Sequence, residues 1–147
     1  MSETNDEYNL QRFIRAQDPV YDDAIGILRR GMMCTPYMEF MFPRLASSGP
    51  DDALEPYAIR SLDEANAYIS SPLLGGRYRE CVGTLQRLID FSARTVFGDV
   101  DACKLQASLT LFSEASYDEF LLETMFDIWF DGLVHEETMM AIRSLSR

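Results

Sequence analysis

Apolar residues recur along the chain at the 3.6-residue period of buried helix faces. Leu10, Phe13 and Ile14 share a face in a first segment, which the Asp18-Pro19 step should end because proline drives the preceding residue out of the helical region. Tyr21, Ala24, Ile25 and Leu28 follow at i, i+3, i+4 and i+7, with Gly31 placed as a stop. From Ala46 the run ASSGPDDALEP has the composition of a loop, and Ser61 with Glu64 then forms a capping box ahead of Leu62, Ala65 and Ile69. Ser71-Pro72 closes that helix. Leu74, Tyr78, Cys81, Val82, Leu85, Leu88 and Ile89 mark a long amphipathic helix after it.

VFGD, residues 96–99, reads as a turn, after which Ala102, Leu105, Leu109 and Phe112 give another buried stripe. Ser116 is placed to cap a helix that carries early acids and ends at Gly132, and HEETMMAIRSL supplies a short last helix. No segment alternates apolar and polar residues long enough to demand a strand. The pattern predicts an all-α protein, a single multihelical domain over residues 1–147, with room for one short hairpin and with residues 1–7 as a flexible N-terminus.

Composition agrees with one core. A chain of 147 residues, 47% hydrophobic, can bury roughly two-thirds of the surface its unfolded form exposes. The net charge of −11 and the absence of Lys or Arg between Lys104 and Arg143 disfavour nucleic acid and anionic membranes, both of which need clustered positive charge. The acidic surface reads as a solubility device or as a docking face for a basic protein partner. MSETNDEYN lacks the regions of a signal peptide, and no run reaches the length of a membrane span, so a cytoplasmic protein is expected. Cys34, Cys81 and Cys103 are odd in number and widely spaced, and are read as reduced and mostly buried.

The motifs of P-loops, dinucleotide folds, hydrolase elbows and zincins are missing, and one histidine cannot build a multi-histidine metal site. No metal and no cofactor is expected. DVD, at Asp99 to Asp101, reads as a helix cap. His135 suits proton transfer by its chemistry, although its polar neighbours fit a solvated surface residue better. LLGGRYRE, around Gly75 to Glu80, reads in two ways: a helix start whose amides hold an anion, with Arg77 assisting, or glycines that let helices pack closely with paired arginines. Lys104, the only lysine, either serves as a desolvated amine or snorkels outward to pair with Asp101 or Asp99.

Four segments, YNLQRFIRAQDPVY, GMMCTPYMEFMFPRL, YAIRSLDEANAYISSPLLGGRYREC and VFGDVDACKLQASLTLF, together resemble the domain of unknown function 1810 family, sometimes labelled calpastatin. The resemblance runs from about Tyr8 to Met140 and implies a largely helical fold. In the second segment the family pattern has Ser-His-Trp-Met-Trp and then Phe-x-Phe-Pro-Gln. Thr35, Met38, Phe40, Phe42 and Pro43 match it, whereas Pro36, Tyr37, Glu39 and Arg44 depart from it. In the fourth, Lys104, Ser108, Thr110, Leu111 and Phe112 match, and Gln106 replaces a usual basic residue.

Glu39 therefore stands where the family pattern has an indole. A carboxylate at a packed site must be solvated, paired or used, and a pair with Arg44 is the simplest account. If the stretch is a helix, Tyr37, Phe40 and Met41 face the core and Glu39 lies in water. If it lines a pocket, Tyr37, Met38, Phe40 and Phe42 desolvate Glu39 and raise its pKa. The resulting expectation is a small-molecule-binding domain with a pocket around residues 36–44, walled by Tyr37 to Phe42 and Lys104. Any catalysis would be cofactor-free acid/base chemistry, an isomerisation, cyclisation, elimination or hydrolysis. Glu39, Tyr37 and Lys104 would act, and Met38, Phe40, Phe42, Arg44 and Arg77 would bind. A non-catalytic acidic interaction module is the alternative, and handling of nucleotide-derived or ADP-ribose-like ligands a weaker one.

Overall fold

The computed structural model describes residues 6–33, 35–46, 56–88, 91–116 and 120–145. Within them run eight helices: α1 Gln11–Gln17, α2 Tyr21–Arg29, α3 Thr35–Met41, α4 Leu62–Ser70, α5 Pro72–Gln86, α6 Ala93–Ala115, α7 Phe120–Trp129 and α8 Glu136–Leu145. The protein is all-α. In place of a hairpin there is one isolated parallel bridge, Leu45 to Ile59.

Local chemistry explains most boundaries. Asp6, expected in a flexible terminus, accepts the N–H groups of Leu10 at 2.6 Å and Gln11 at 3.0 Å, and so satisfies donors that the first turn of α1 leaves open. Residues 1–5 of that expected tail lie outside the described residues, as does Ile89. α2 ends where Gly31, at φ 80°, lets its own N–H reach the Leu28 carbonyl and that of Met32 reach Ile27, closing the last turn. Ser71 ends α4 and caps α5 through its hydroxyl, which accepts the Leu74 N–H.

One boundary differs from the sequence reading: Ser92 and Thr95 form a capping box that starts α6 at Ala93, ahead of VFGD, while Gly98, at φ 78° and ψ 168°, is non-helical, so the expected VFGD turn joins two helical runs of α6 across a kink. Ser116 ends α6, its hydroxyl donating back to the Phe112 carbonyl; its expected role as cap of the next helix falls on residues 117–119, which lie outside the described residues.

A single hydrophobic cluster draws on all eight helices, with Phe13, Leu28, Met38, Ala65, Tyr78, Leu109, Met125 and Ile142 among its members. Tyr68, Tyr78 and Phe112 pack ring to ring at its centre, with Tyr68 and Tyr78 6.4 Å apart and edge-on. Each buried phenol oxygen has a partner, Gln17 for Tyr68 and Ser108 for Tyr78. Gly75 lies inside α5, not at its start, and a Cβ there would meet the Ile69 carbonyl oxygen at 2.1 Å. The two glycines thus offer no anion-binding amides, and the first of them serves close helix packing.

Candidate functional site

Three walls enclose a cleft of about 650 Å³, a volume suited to a small organic molecule. The first is the face of α6 formed by Val100, Cys103, Lys104 and Ala107, spaced i, i+3, i+4 and i+7 and turned away from the Leu105, Leu109 and Phe112 core stripe. The second is the start of α8, with His135, Glu137, Thr138 and Ala141. Arg44, Leu45 and Ala46 make the third. That strand-like segment is fixed by main-chain bonds to Ile59, from Ala46 N–H at 2.7 Å and into the Arg44 carbonyl at 2.9 Å. Ala107 and Ala141 provide the room.

Glu39 answers part of the sequence puzzle. The Arg44 guanidinium donates to its Oε1 at 3.0 Å and the Lys104 ammonium to its Oε2 at 3.0 Å, so one carboxylate joins two cations from different walls. Lys104 also lies 3.6 Å from Asp101, as expected, whereas Asp99 pairs with Arg94. Partial burial pushes the Glu39 carboxyl upward, but the hydrogen bonds and charges of Lys104 and Arg44 outweigh it and hold the group below the usual carboxylate range. Of the two readings of Glu39, the pocket one with a raised pKa is corrected, because two cations outweigh the burial; the stretch is a helix, as the other reading had it, but the carboxylate is paired and not simply solvated.

A group lowered in the folded state contributes stability above its unfolded pKa, and that contribution disappears as pH falls through the folded value. The Glu39 side chain is 39% exposed, so solvent screens the pair and the effect is small. Glu39→Gln should melt about 2 °C below the wild type at pH 7, and in a pH series of thermal melts the gap should close as pH falls through the folded value. A constant gap across the series would show that the pair does not titrate with stability.

The remaining sequence candidates lie elsewhere. α3 is a helix whose core face is Met38 and Met41, and Phe42 follows directly after it; with Met38 1% and Phe42 0% exposed, these side chains pack in the core and do not wall the cleft. Tyr37 and Phe40 are half-buried; Tyr37 donates to Asp23 at 3.0 Å, and Phe40 stacks edge-on against Tyr57. Arg77 sits over the Tyr21 ring and donates to Asp18 at 2.8 Å and Gln17 at 3.3 Å, and Gln17 in turn donates to the Phe40 carbonyl. Arg77 thus ties α5 to the end of α1 and to α2, and does not line the cleft. Of the eight residues singled out, the structure brings Arg44 and Lys104 into the cleft wall and sets Glu39 between them. A recess of only about 10 Å³ adjoins Glu39, Arg44, Tyr57 and Ala58.

Sequence reasoning missed a pair formed between the α6 wall and the start of α8. The Nε2 of His135 lies 3.4 Å from the Cys103 sulfur, across 32 residues of chain. Cys103 is exposed, against the expectation of a mostly buried thiol, because it occupies the outward face of α6. His135 is only 17% exposed, and so is not the solvated residue its neighbours suggested. Its main-chain N–H donates to Thr110 at 2.9 Å, while Gln106 holds the Leu133 carbonyl at 2.9 Å, tying the start of α8 to α6. Its Nδ1 receives the Thr138 N–H at 3.3 Å and lies 2.8 Å from the Thr138 hydroxyl. A backbone N–H can only donate, so this contact leaves Nδ1 the acceptor and Nε2 the proton-bearing nitrogen facing sulfur. The spacing of His135 and Thr138 at a helix start was the legible half of this arrangement. Among the described residues no group of three His, Cys, Asp or Glu is placed to hold a metal ion.

The family model described as "Protein of unknown function (DUF1810)" matches residues 7–142. The chain belongs to the DUF1810 family. A crystal structure of the conserved hypothetical protein Rv1873 from Mycobacterium tuberculosis matches this DUF1810 chain at 33% sequence identity and a TM-score of 0.88, covering 94% of this chain and 99% of that one. No curated protein matches it. Among the described residues, no helix of this family member is long and apolar enough to cross a membrane.

Proposed function

We propose that this DUF1810 protein binds a small molecule bearing an anionic group in the cleft between α6, α8 and the Arg44 to Ala46 segment. One observation carries the reading: a cleft of about 650 Å³ has a guanidinium and an ammonium on adjoining walls, joined through the half-exposed carboxylate of Glu39. Arg44 and Lys104 together carry more donors than their contacts with Glu39 use, and their geometry is fixed before a ligand arrives. Glu39, with its lowered pKa, acts as a clamp for these cations and is poorly suited to donate a proton at neutral pH.

Thermal unfolding against a panel of dicarboxylates, sugar phosphates, NAD and ADP-ribose tests this. A ligand at a hundred times its dissociation constant adds about 2.7 kcal/mol, a midpoint shift of roughly 5 to 10 °C for a chain of this size. The shift should vanish in Lys104→Ala and Arg44→Ala and shrink in Glu39→Gln, which loosens the clamp on the two cations. A panel with no active member, or a shift that survives both cation deletions, would remove the reading.

A second reading, an acidic docking module, draws support from the C-terminal third. Phe120, Leu133 and Met140 are all more than half exposed there, among the exposed acids Glu123, Asp127, Asp131, Glu136 and Glu137. Salt-sensitive association with a basic protein, and no response to small anions, would favour it.

A further inference from the structure

Where the α6 wall of the cleft meets the start of α8, a nucleophile lies beside a fixed imidazole. We propose that Cys103, positioned by His135, is a covalent site for small disulfides, which enter the cleft and exchange with its thiol. This rests on the Cys103–His135 geometry and the cleft, and not on the anion reading above.

Three features combine. Cys103 is exposed and lines the cleft, so a molecule occupying that space reaches the sulfur directly. The Nε2–H of His135 lies 3.4 Å from it, and a donor at that position binds a thiolate more strongly than a thiol. The ring cannot turn away freely, because Thr138 holds Nδ1 and Thr110 holds the His135 main chain. Cys81 shows the contrast: it is fully buried, and burial pushes its thiol up to about 12, as for a structural cysteine.

Exchange asks less of the protein than acyl transfer, which needs donors aimed at an oxyanion in addition to a nucleophile. The cleft volume favours a molecule of several heavy atoms over a peroxide. In the reaction the Cys103 proton leaves to solvent, and Sγ forms a bond to one sulfur of the disulfide as its S–S bond breaks. The electron pair leaves on the other sulfur, which takes a proton from water. Cys103 is oxidised to a mixed disulfide, and half of the disulfide is reduced to a thiol.

The test uses the full reduced chain and 2-hydroxyethyl disulfide, a neutral probe, so that failure of the anion reading cannot mask the result. Peptide mapping by mass spectrometry should place the adduct on Cys103, and Cys103→Ser should lose it. His135→Asn keeps a side chain able to cap α8. It should leave the melting midpoint nearly unchanged and slow the reaction on the order of tenfold. A purely structural histidine would instead show its loss in the melting midpoint and leave the rate of the still folded variant unchanged. Equal rates for wild type and His135→Asn would overturn the proposal, as would an adduct confined to another cysteine. Repeating the reaction with oxidised glutathione reads the anion site separately: a rate advantage over the neutral probe that Lys104→Ala abolishes supports both assignments.

Discussion

Glu64→Ala should lower the stability of the fold by about 3 kcal/mol, a loss of about 10 °C in Tm or a clear drop in the urea midpoint. Glu64 is a buried carboxylate, its side chain 6% exposed, and Arg12 meets its Oε2 at 2.6 Å. Its other oxygen accepts the Arg60 N–H at 2.9 Å, and its own N–H donates to Ser61. Arg12 extends the network to the carbonyls of Tyr8, Asn9, Pro56 and Ala58. Removing the carboxylate leaves a mostly buried guanidinium uncompensated, and desolvation makes that worse than losing an exposed pair. Glu64→Gln preserves the acceptor for Arg60 and should lose about half as much. A loss below about 1 kcal/mol for Glu64→Ala would mean that water reaches Arg12 as easily as it reaches a surface pair.

Gly75→Ala and Gly76→Ala should move stability in opposite directions, although the two glycines are neighbours in one helix. At Gly75 the new methyl would lie 2.1 Å from the Ile69 carbonyl oxygen and 2.9 Å from its carbon, both backbone atoms that cannot rotate aside. α4 and α5 must separate, at a cost of about 2 to 3 kcal/mol even after the gain in helix propensity. At Gly76 a methyl meets nothing within 4 Å, so the alanine should stabilise the protein by about 0.5 to 1 kcal/mol. Equilibrium urea unfolding of the two variants decides it. A Gly75→Ala protein as stable as the wild type would show that the helix pair has slack.

The same dipeptide shows where sequence reading stops. A Gly-Gly pair beside two arginines is compatible with an anion-binding helix start or with close packing. Only the position of Ile69 from the preceding helix selects between them. Glu64 illustrates the point from the other side. Its spacing from Ser61 announced a capping box, and Ser61 does accept the Glu64 N–H. The carboxylate, however, turns to Arg60 and Arg12, a partner 52 residues away that no local spacing can reveal.

Helix positions were legible because they depend on short-range physics. Apolar period, a serine before a helix, proline at its first residue and glycine past its end act within a few residues, and α2, α4 and α5 follow from them closely. The all-α class follows from the same signals. The break at Val96 to Asp99 was legible for the same reason, since Gly98 leaves the helical region there, whereas the helical run from Ala93 to Phe97 ahead of it was not read.

By itself, then, the sequence determined a helical protein with one aromatic-rich core, an acidic surface, and family membership carried by four ordered segments. It also placed Lys104 and Arg44 among the residues of interest and paired Arg44 with Glu39. The tertiary structure alone decided that Lys104 shares that carboxylate across 65 residues, and that Cys103 meets His135 across 32. Met38 and Phe42, attractive as pocket walls, went to the core instead, because in a helix of seven residues the buried face is chosen by what packs against it. Spacing along the chain fixes which residues share a helix face. Which faces meet is set by the packing of the whole core.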